Sequence, residues 1–228
     1  YRTLTCRENL AFFAKIYGLS HKVRSQRIRD CLAAVDLLDR AQTPVEKLSG
    51  GMQRRLSLAI AIVHYPKLLI LDEPTTGLDI EARHEVWELI RLLSDEQGMT
   101  ILLTTHLLDE AERLCKRIGV IKQGQLLKAG TLPELRQCVP ASEIVTVETP
   151  DPQGAIARAL ECGFTPRRYG KDLAFWIPQE FELKELIAQF DGVALDAISR
   201  SPVKLEHIYL EITQNKSLLL PAPLPVKP

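Results

Sequence analysis

The sequence predicts an α/β domain followed by a small α+β module. Two short apolar runs, at 68–71 and 100–105, flank a helical pattern at 81–94, which is typical of parallel strands joined through a helix. Residues 144–213 then follow the order strand, helix, strand, strand, helix, strand, helix, which indicates a ferredoxin-like module. We place the α/β domain at 1–137, the accessory module at 138–214 and a proline-rich, disordered tail at 215–228.

Helical patterns fill the first part of the chain. Thr5 and Glu8 have the spacing of a capping box, and apolar residues follow at helical intervals until Gly18. A second amphipathic pattern follows, with its basic residues mostly on the polar face. A third helix begins at the glycine pair Gly50-Gly51 and ends before a proline.

The two apolar runs are short and continuous. The run at 68–71 is Leu-Leu-Ile-Leu, so we expect a strand buried on both faces of a parallel sheet, and the run at 100–105 is similar. A helix at 108–115 and two strands, at 118–121 and 125–128, complete the first domain.

The accessory module is predicted from alternating patterns and one turn. Gly170-Lys171 separates two strand-like segments, as in a β-hairpin. The predicted elements are a strand at 144–147, a helix at 155–161, strands at 165–169 and 172–177, a helix at 181–190, a strand at 193–198 and a helix at 205–213.

Composition and charge exclude several classes of protein. The 228 residues are 46% hydrophobic and 25% charged, which is typical of a globular chain. The 29 basic residues balance the 29 acidic ones, so we expect no nucleic-acid partner. Five scattered cysteines predict neither disulfides nor a zinc site and fit a reducing cytoplasm. No apolar run approaches the roughly 20 residues that a membrane span needs.

Two adjacent carboxylates follow the first apolar run. Asp72 and Glu73 lie at the end of the strand, at the edge where open α/β sheets bind ligands. Mg²⁺ prefers oxygen ligands, so Asp72 is a candidate for holding this ion through water. Glu73 is a candidate for orienting an attacking water molecule or accepting its proton, an effect worth about 10²–10⁴ in rate. By themselves, these residues also fit an acidic turn before a proline.

A glycine-rich segment precedes these carboxylates by about twenty residues. Ser49 can cap the following helix, while Gly50 and Gly51 let the backbone approach an anion at the helix start. Gln53 completes the candidate nucleotide-binding segment. Ser-Gly-Gly alone also fits an ordinary loop, but the full string LSGGMQRR ahead of LLILDEP is far more specific.

Two further candidates lie at the same edge of the predicted sheet. His106 follows the second apolar run, and its imidazole can contact a terminal phosphate or help to position water. Asp79 follows the carboxylates, where it caps the next helix or contacts a second subunit, or does both.

From Thr3 to about Glu134, the sequence resembles the ATP-binding subunit of ABC transporters, in particular the bacterial exporter type. LSGGMQ resembles the signature, LLILDEP the Walker B strand with its catalytic glutamate, and TGLD the D-loop. Thr105-His106 resembles the switch histidine of the family. The segment LEHIYLEIT near the end resembles the accessory module of exporter ATPases.

The resemblance implies a P-loop NTPase fold with a helical subdomain, and ATP and Mg²⁺ as cofactors. It implies a homodimer in which Ser49, Gly50 and Gly51 close over the ATP of the neighbouring subunit, whereas Glu73 and His106 serve the subunit's own ATP. It also implies transmembrane permease subunits as partners and a peripheral location on the cytoplasmic face of the cell membrane.

The sequence contains no GxxxxGK[ST] phosphate-binding loop. Its Gly170-Lys171 pair is followed by Asp172 and lies in a predicted hairpin. The family's Q-loop glutamine and adenine-stacking aromatic are also missing. Phosphoryl transfer depends on the phosphate-binding loop for positioning, so we expect an N-terminally truncated ATPase that is inactive by itself.

Two alternatives stay open. A non-enzymatic partner would supply only the signature half-site, although an intact Glu73 and His106 would then have no nucleotide to serve. A non-transport ABC ATPase would act on ribosomes or chromosomes, but a second cassette, long coiled coils and a basic surplus are missing from the sequence.

Overall fold

The computed structural model of the chain describes residues 1–213. Their contacts form two compact units, Tyr1–Cys115 and a second unit that begins at Lys116. This division differs from the predicted boundary at 137/138 because the elements just after Lys116 contact the last described helix. Residue 214 and the predicted tail at 215–228 lie outside the described residues.

The first unit begins with a helix that is capped as the sequence predicts. The Thr5 hydroxyl accepts a hydrogen bond from the amide of Glu8, whose carboxylate accepts one from the amide of Thr5. Gly18, with a φ of +75°, lies just after the first helix. The helices are α1 (Cys6–Ile16), α2 (His21–Ala34) and α3 (Gly50–Ile62), and a 3₁₀ turn covers Val45–Lys47.

A strand–helix–strand unit follows and confirms the predicted order. β1 (Leu68–Asp72) and β2 (Thr100–Thr104) are parallel neighbours, and α4 (Ile80–Asp95) connects them. The helix α5 (Leu108–Leu114) comes after β2. Because the strands are parallel and in register, both end at the same edge of the sheet.

The prediction that these strands are buried on both faces is wrong for the described part of the chain. Leu69 and Leu71 pack into the helical core of the first unit. On the other face, Leu68, Ile70 and Leu102 are 52%, 64% and 55% exposed. Side chains alternate along a strand, so a continuous apolar run supplies both faces, and the described helices cover one of them.

The second unit contains a hairpin and a four-stranded sheet within the described residues. The sheet order is β6-β7-β5-β8 with antiparallel neighbours, as expected for a ferredoxin-like module. Its core lies between the sheet and two helices and includes Phe175, Leu186 and Phe190. The elements are β3 (Ile118–Lys122), β4 (Gln125–Gly130), α6 (Leu132–Arg136), β5 (Glu143–Glu148), α7 (Pro152–Glu161), β6 (Thr165–Tyr169), β7 (Asp172–Ile177), α8 (Leu183–Gln189), β8 (Ala197–Pro202) and α9 (Leu205–Thr213).

Two details of the second unit differ from the sequence-based expectations. The last strand begins at Ala197 and not at Val193, because Val193 and Leu195 pack against the core from a loop. The short helix α6 was not predicted, although Thr131 and Glu134 form a capping box at its start. That spacing is the signal by which the sequence could have revealed it.

Candidate functional site

The carboxyl ends of β1 and β2 build the candidate catalytic edge. Asp72 lies opposite Thr104 in the parallel register, and the Thr104 hydroxyl donates a hydrogen bond to Oδ1 of Asp72. The backbone amide of Glu73 donates to the carbonyl oxygen of Thr104 over 2.9 Å. Strand pairing therefore fixes the backbone of both candidate acidic residues.

Glu73 and His106 are in direct contact. Nδ1 of His106 lies 3.0 Å from Oε1 of Glu73, and the hydroxyl of Thr76 donates to Oε2 over 2.9 Å. The hydrogen bond from His106 and, after it, that from Thr76 lower the pKa of Glu73. The side chains of Glu73 and His106 are 44% and 61% exposed, so a solvent molecule can reach this ionised carboxylate.

The backbone of Glu73 has an uncommon conformation. Its φ of +45° lies in the left-handed region, which costs a residue with a side chain about 1–3 kcal/mol. The guanidinium group of Arg54 contacts this backbone by donating to three successive carbonyl oxygen atoms. They belong to Asp72 (2.8 Å), Glu73 (2.7 Å) and Pro74 (2.6 Å). The sequence assigned no role to Arg54, because a basic residue in a helix usually faces solvent.

The signature segment forms the start of α3. Ser49 is the N-cap, and its hydroxyl accepts a hydrogen bond from the amide of Met52 over 3.3 Å, as predicted. Gly50 and Gly51 are the first two helical residues. The side-chain amide of Gln53 donates to the carbonyl oxygen of Leu48 over 3.0 Å, which holds the segment before the helix. The segment therefore presents a helix N-terminus with its partial positive charge.

The starts of α3 and α4 lie against each other. A Cβ atom added to Gly51 would lie 2.9 Å from the Cβ of Ala82, so the position has no room for a side chain. Asp79 is the N-cap of α4, and its carboxylate accepts a hydrogen bond from the amide of Ala82 over 2.8 Å. The capping role predicted for Asp79 is confirmed, and its contact with a second subunit stays a prediction.

The predicted site residues thus fall into two groups. Asp72, Glu73 and His106 meet at the edge of the sheet. Ser49, Gly50, Gly51 and Gln53 lie at the start of α3, and Asp79 lies at the start of α4. Arg54 links the two groups, because it belongs to α3 and contacts the backbone at Asp72 and Glu73.

Glu110 is a buried residue of the site that the sequence analysis missed. It is fully buried, and its Oε1 accepts hydrogen bonds from the Thr75 hydroxyl at 2.6 Å and the Trp87 indole at 3.0 Å. The burial of Glu110 could have been predicted from the sequence. Residues 107, 111 and 114 are apolar at helical spacing and place Glu110 on the same face of α5.

Asp72 has the chemistry of a single-carboxylate magnesium ligand. Its side chain is exposed, and Thr104 binds only one of its two oxygen atoms in the described part of the chain. Mg²⁺ in nucleotide sites is held by one or two carboxylates together with water and phosphate oxygen atoms. The donor set therefore fits a Mg²⁺ that a nucleotide brings with it.

The chain is similar to known proteins in sequence and in structure. The family profile described as "ABC transporter" matches residues 1–76. The Nod factor export ATP-binding protein I of Burkholderia pseudomallei (strain 1710b) is 36% identical over 214 residues, which are 94% of this chain and 69% of that protein. The chain belongs to the ATP-binding subunits of ABC transporters.

Other members of the ABC family match over shorter stretches. The linearmycin resistance ATP-binding protein LnrL of Bacillus subtilis (strain 168) is 44% identical over 135 residues, 59% of this chain and 43% of that protein. A solved ATP-binding subunit of an ABC transporter matches with a TM-score of 0.52 and 34% identity, over 60% of this chain and 57% of its own. A dimeric ATP-binding cassette bound to ADP and Pi matches with a TM-score of 0.51 and 29% identity, over 58% of each chain.

These matches confirm the predicted family and its P-loop NTPase fold. The chain spans less than half of the linearmycin protein and about two thirds of the Nod factor protein. No helix among residues 1–213 is long and apolar enough to cross a membrane.

Proposed function

We propose that this chain supplies the catalytic edge and the signature segment of an ATP-hydrolysing subunit that powers export through partner membrane subunits. The observation that carries the proposal is the contact between Glu73 and His106 beside Asp72, at the carboxyl ends of parallel strands. The name of one relative, the Nod factor export ATP-binding protein I, supports an export system.

Glu73 is proposed to orient the attacking water and accept its proton. Its carboxylate is ionised and partly exposed, and His106 and Thr76 each hold one of its oxygen atoms. Such fixed orientation favours general-base catalysis because the acceptor needs little reorganisation before it takes up a proton. Asp72 would hold Mg²⁺ through water, and the ion would neutralise charge on the phosphates.

Ser49, Gly50 and Gly51 are proposed to bind the ATP of a second, identical subunit. The amide groups at the start of α3 offer hydrogen bonds to phosphate oxygen atoms, and nothing lies within 4 Å of the open side of Gly50. Gln53 and Asp79 would flank that nucleotide. The dimeric cassette among the structural relatives supports this arrangement.

Permease subunits in the cell membrane are the proposed partners, with the chain on their cytoplasmic face. We also propose that the 228-residue chain does not hydrolyse ATP by itself, because it contains no GxxxxGK[ST] string. Magnesium-dependent turnover by the purified chain alone would contradict this part of the proposal.

The proposal is tested by Glu73→Gln in an assembled transporter complex whose ATP-binding subunits include a GxxxxGK[ST] loop as well as this chain. We expect ATP hydrolysis to fall by about 10²-fold or more, while ATP binding is kept, because glutamine preserves the shape and loses the base. The exposed Glu88, replaced by glutamine, is the matched control and should leave turnover unchanged. Unchanged turnover in Glu73→Gln would favour the alternative in which the chain supplies only the signature half-site.

A further inference from the structure

Arg54 connects the signature helix to the loop that carries Glu73. It lies in the second turn of α3, and its three hydrogen bonds to backbone carbonyl oxygen atoms are 2.6–2.8 Å long. Charge-assisted hydrogen bonds of this length are among the stronger ones in proteins. The three hydrogen bonds fix the planar guanidinium group against the loop, so that the two move together.

The first turn of the same helix is the proposed binding segment for the neighbour's ATP. Arg54 follows Gly50 by four residues, which is about one helical turn or roughly 6 Å along the axis. A helix is stiff over such a short distance because its backbone hydrogen bonds join successive turns. A displacement of the signature segment therefore moves the guanidinium group as well.

The loop is also held on its other side. The Thr75 hydroxyl donates to the buried Glu110, which the indole of Trp87 holds in turn. Because Thr75 is held, the loop has little freedom to rearrange there when the guanidinium group of Arg54 moves the carbonyl groups that it binds. A movement of Arg54 therefore displaces Glu73, whose backbone is already in the left-handed region.

We infer that Arg54 is a positioning residue that transmits closure of the signature segment over one ATP to Glu73, which serves the other ATP. This inference rests on the proposed function, because it assigns the two groups to two different nucleotides. Hydrolysis in one site would then depend on whether the same subunit has closed over the nucleotide of its neighbour.

The hold of Arg54 on the loop is tested by hydrogen exchange in the 228-residue chain. Arg54→Lys keeps the charge but lacks the fork that reaches three acceptors, so we expect amide exchange at 73–78 to rise at least about tenfold. Arg27→Lys is the matched control, because Arg27 donates to the carbonyl groups of Ile62 and Val63 at the opposite end of α3. Exchange at 73–78 that is unchanged in Arg54→Lys, or raised equally in both variants, would overturn the inference.

The transmission itself is tested by steady-state ATP hydrolysis in the assembled complex whose ATP-binding subunits include the GxxxxGK[ST] loop. We expect Arg54→Lys to lower kcat about tenfold and to change KM less than twofold, since the loss lies in the alignment of Glu73. Ser49→Ala should have a smaller effect in the Arg54→Lys background than in the wild type. Unchanged kcat, or effects that multiply independently, would overturn the transmission. If the wild-type complex with the GxxxxGK[ST] loop does not hydrolyse ATP, the proposed function is overturned instead, and the exchange experiment still decides the role of Arg54.

Discussion

The hydroxyl of Thr75 donates a hydrogen bond to the fully buried carboxylate of Glu110, with 2.6 Å between the two oxygen atoms. The bond joins the loop after the candidate catalytic residues to the helix that follows His106. Because Trp87 of α4 donates to the same carboxylate oxygen, three segments of the site meet at one acceptor.

Glu110→Ala should destabilise the first unit strongly. The substitution leaves the hydroxyl of Thr75 and the indole of Trp87 without a buried acceptor, and each such group costs about 1–3 kcal/mol. We expect a loss of at least about 2 kcal/mol in the free energy of unfolding, measured by urea denaturation. Glu110→Gln keeps a carbonyl acceptor and should lose less, whereas the exposed Glu96→Ala should change little. Equal losses in the alanine and glutamine variants would contradict the assigned role of the acceptor.

The two glycines of the signature segment should respond oppositely to alanine. Gly51→Ala places a methyl group 2.9 Å from the Cβ of Ala82, and such overpacking costs about 1–3 kcal/mol, more than the roughly 1 kcal/mol gained in helix propensity. Gly50→Ala meets open space and should stabilise the chain by up to about 1 kcal/mol. Thermal unfolding of both variants, and of Gly51→Ala combined with Ala82→Gly, checks this prediction. If the double variant is no more stable than Gly51→Ala alone, the contact with Ala82 is not the cause of the destabilisation.

The exposed apolar row Leu68, Ile70 and Leu102 should promote self-association of the chain. Ile70→Thr keeps a β-branched residue and reduces this surface, so the concentration at which association begins should rise. Sedimentation velocity over a series of protein concentrations measures the effect. Val23→Thr, at an exposed apolar residue on α2, serves as the control. Equal shifts in both variants would mean that the row is not the contact surface.

Cys31 should resist alkylation in the native chain. Burial raises the pKa of its thiol from the ordinary 9.0 to about 11, so at pH 8 the thiolate fraction falls from about a tenth to about a thousandth. Peptide mass spectrometry after iodoacetamide treatment should find Cys31 unmodified until the chain unfolds. The raised pKa leaves stability unaffected well below pH 9 and lowers it as the pH rises from 9 toward 11, because the unfolded chain releases this proton first. Rapid labelling of Cys31 in the folded chain at pH 8 would refute the prediction.

The parts of the site that the sequence could predict are those that a local pattern encodes. Ser49 and Asp79 each precede a helix by one residue, and capping follows from that position. Asp72 and Glu73 follow a short apolar run, which indicates the end of a strand. His106 follows the next such run, and parallel pairing brings it to Glu73.

The parts that could not be predicted depend on contacts between distant segments. Arg54 acts on carbonyl groups 18 to 20 residues farther along the chain, and no local pattern distinguishes it from an exposed arginine. Likewise, the apolar run of β1 does not show which of its two faces the described helices cover. The strand β8 begins four residues after its predicted start, because Val193 and Leu195 are apolar core residues in a loop.

The left-handed backbone at residue 73 is a conformation that suits glycine better than glutamate. Glycine adopts a φ of +45° without steric cost, so Glu73→Gly is expected to relieve the backbone strain at this position. With a glutamate at this position, the backbone therefore carries a strain of about 1–3 kcal/mol that a glycine would not have. This backbone strain is the energetic cost of placing a carboxylate beside His106.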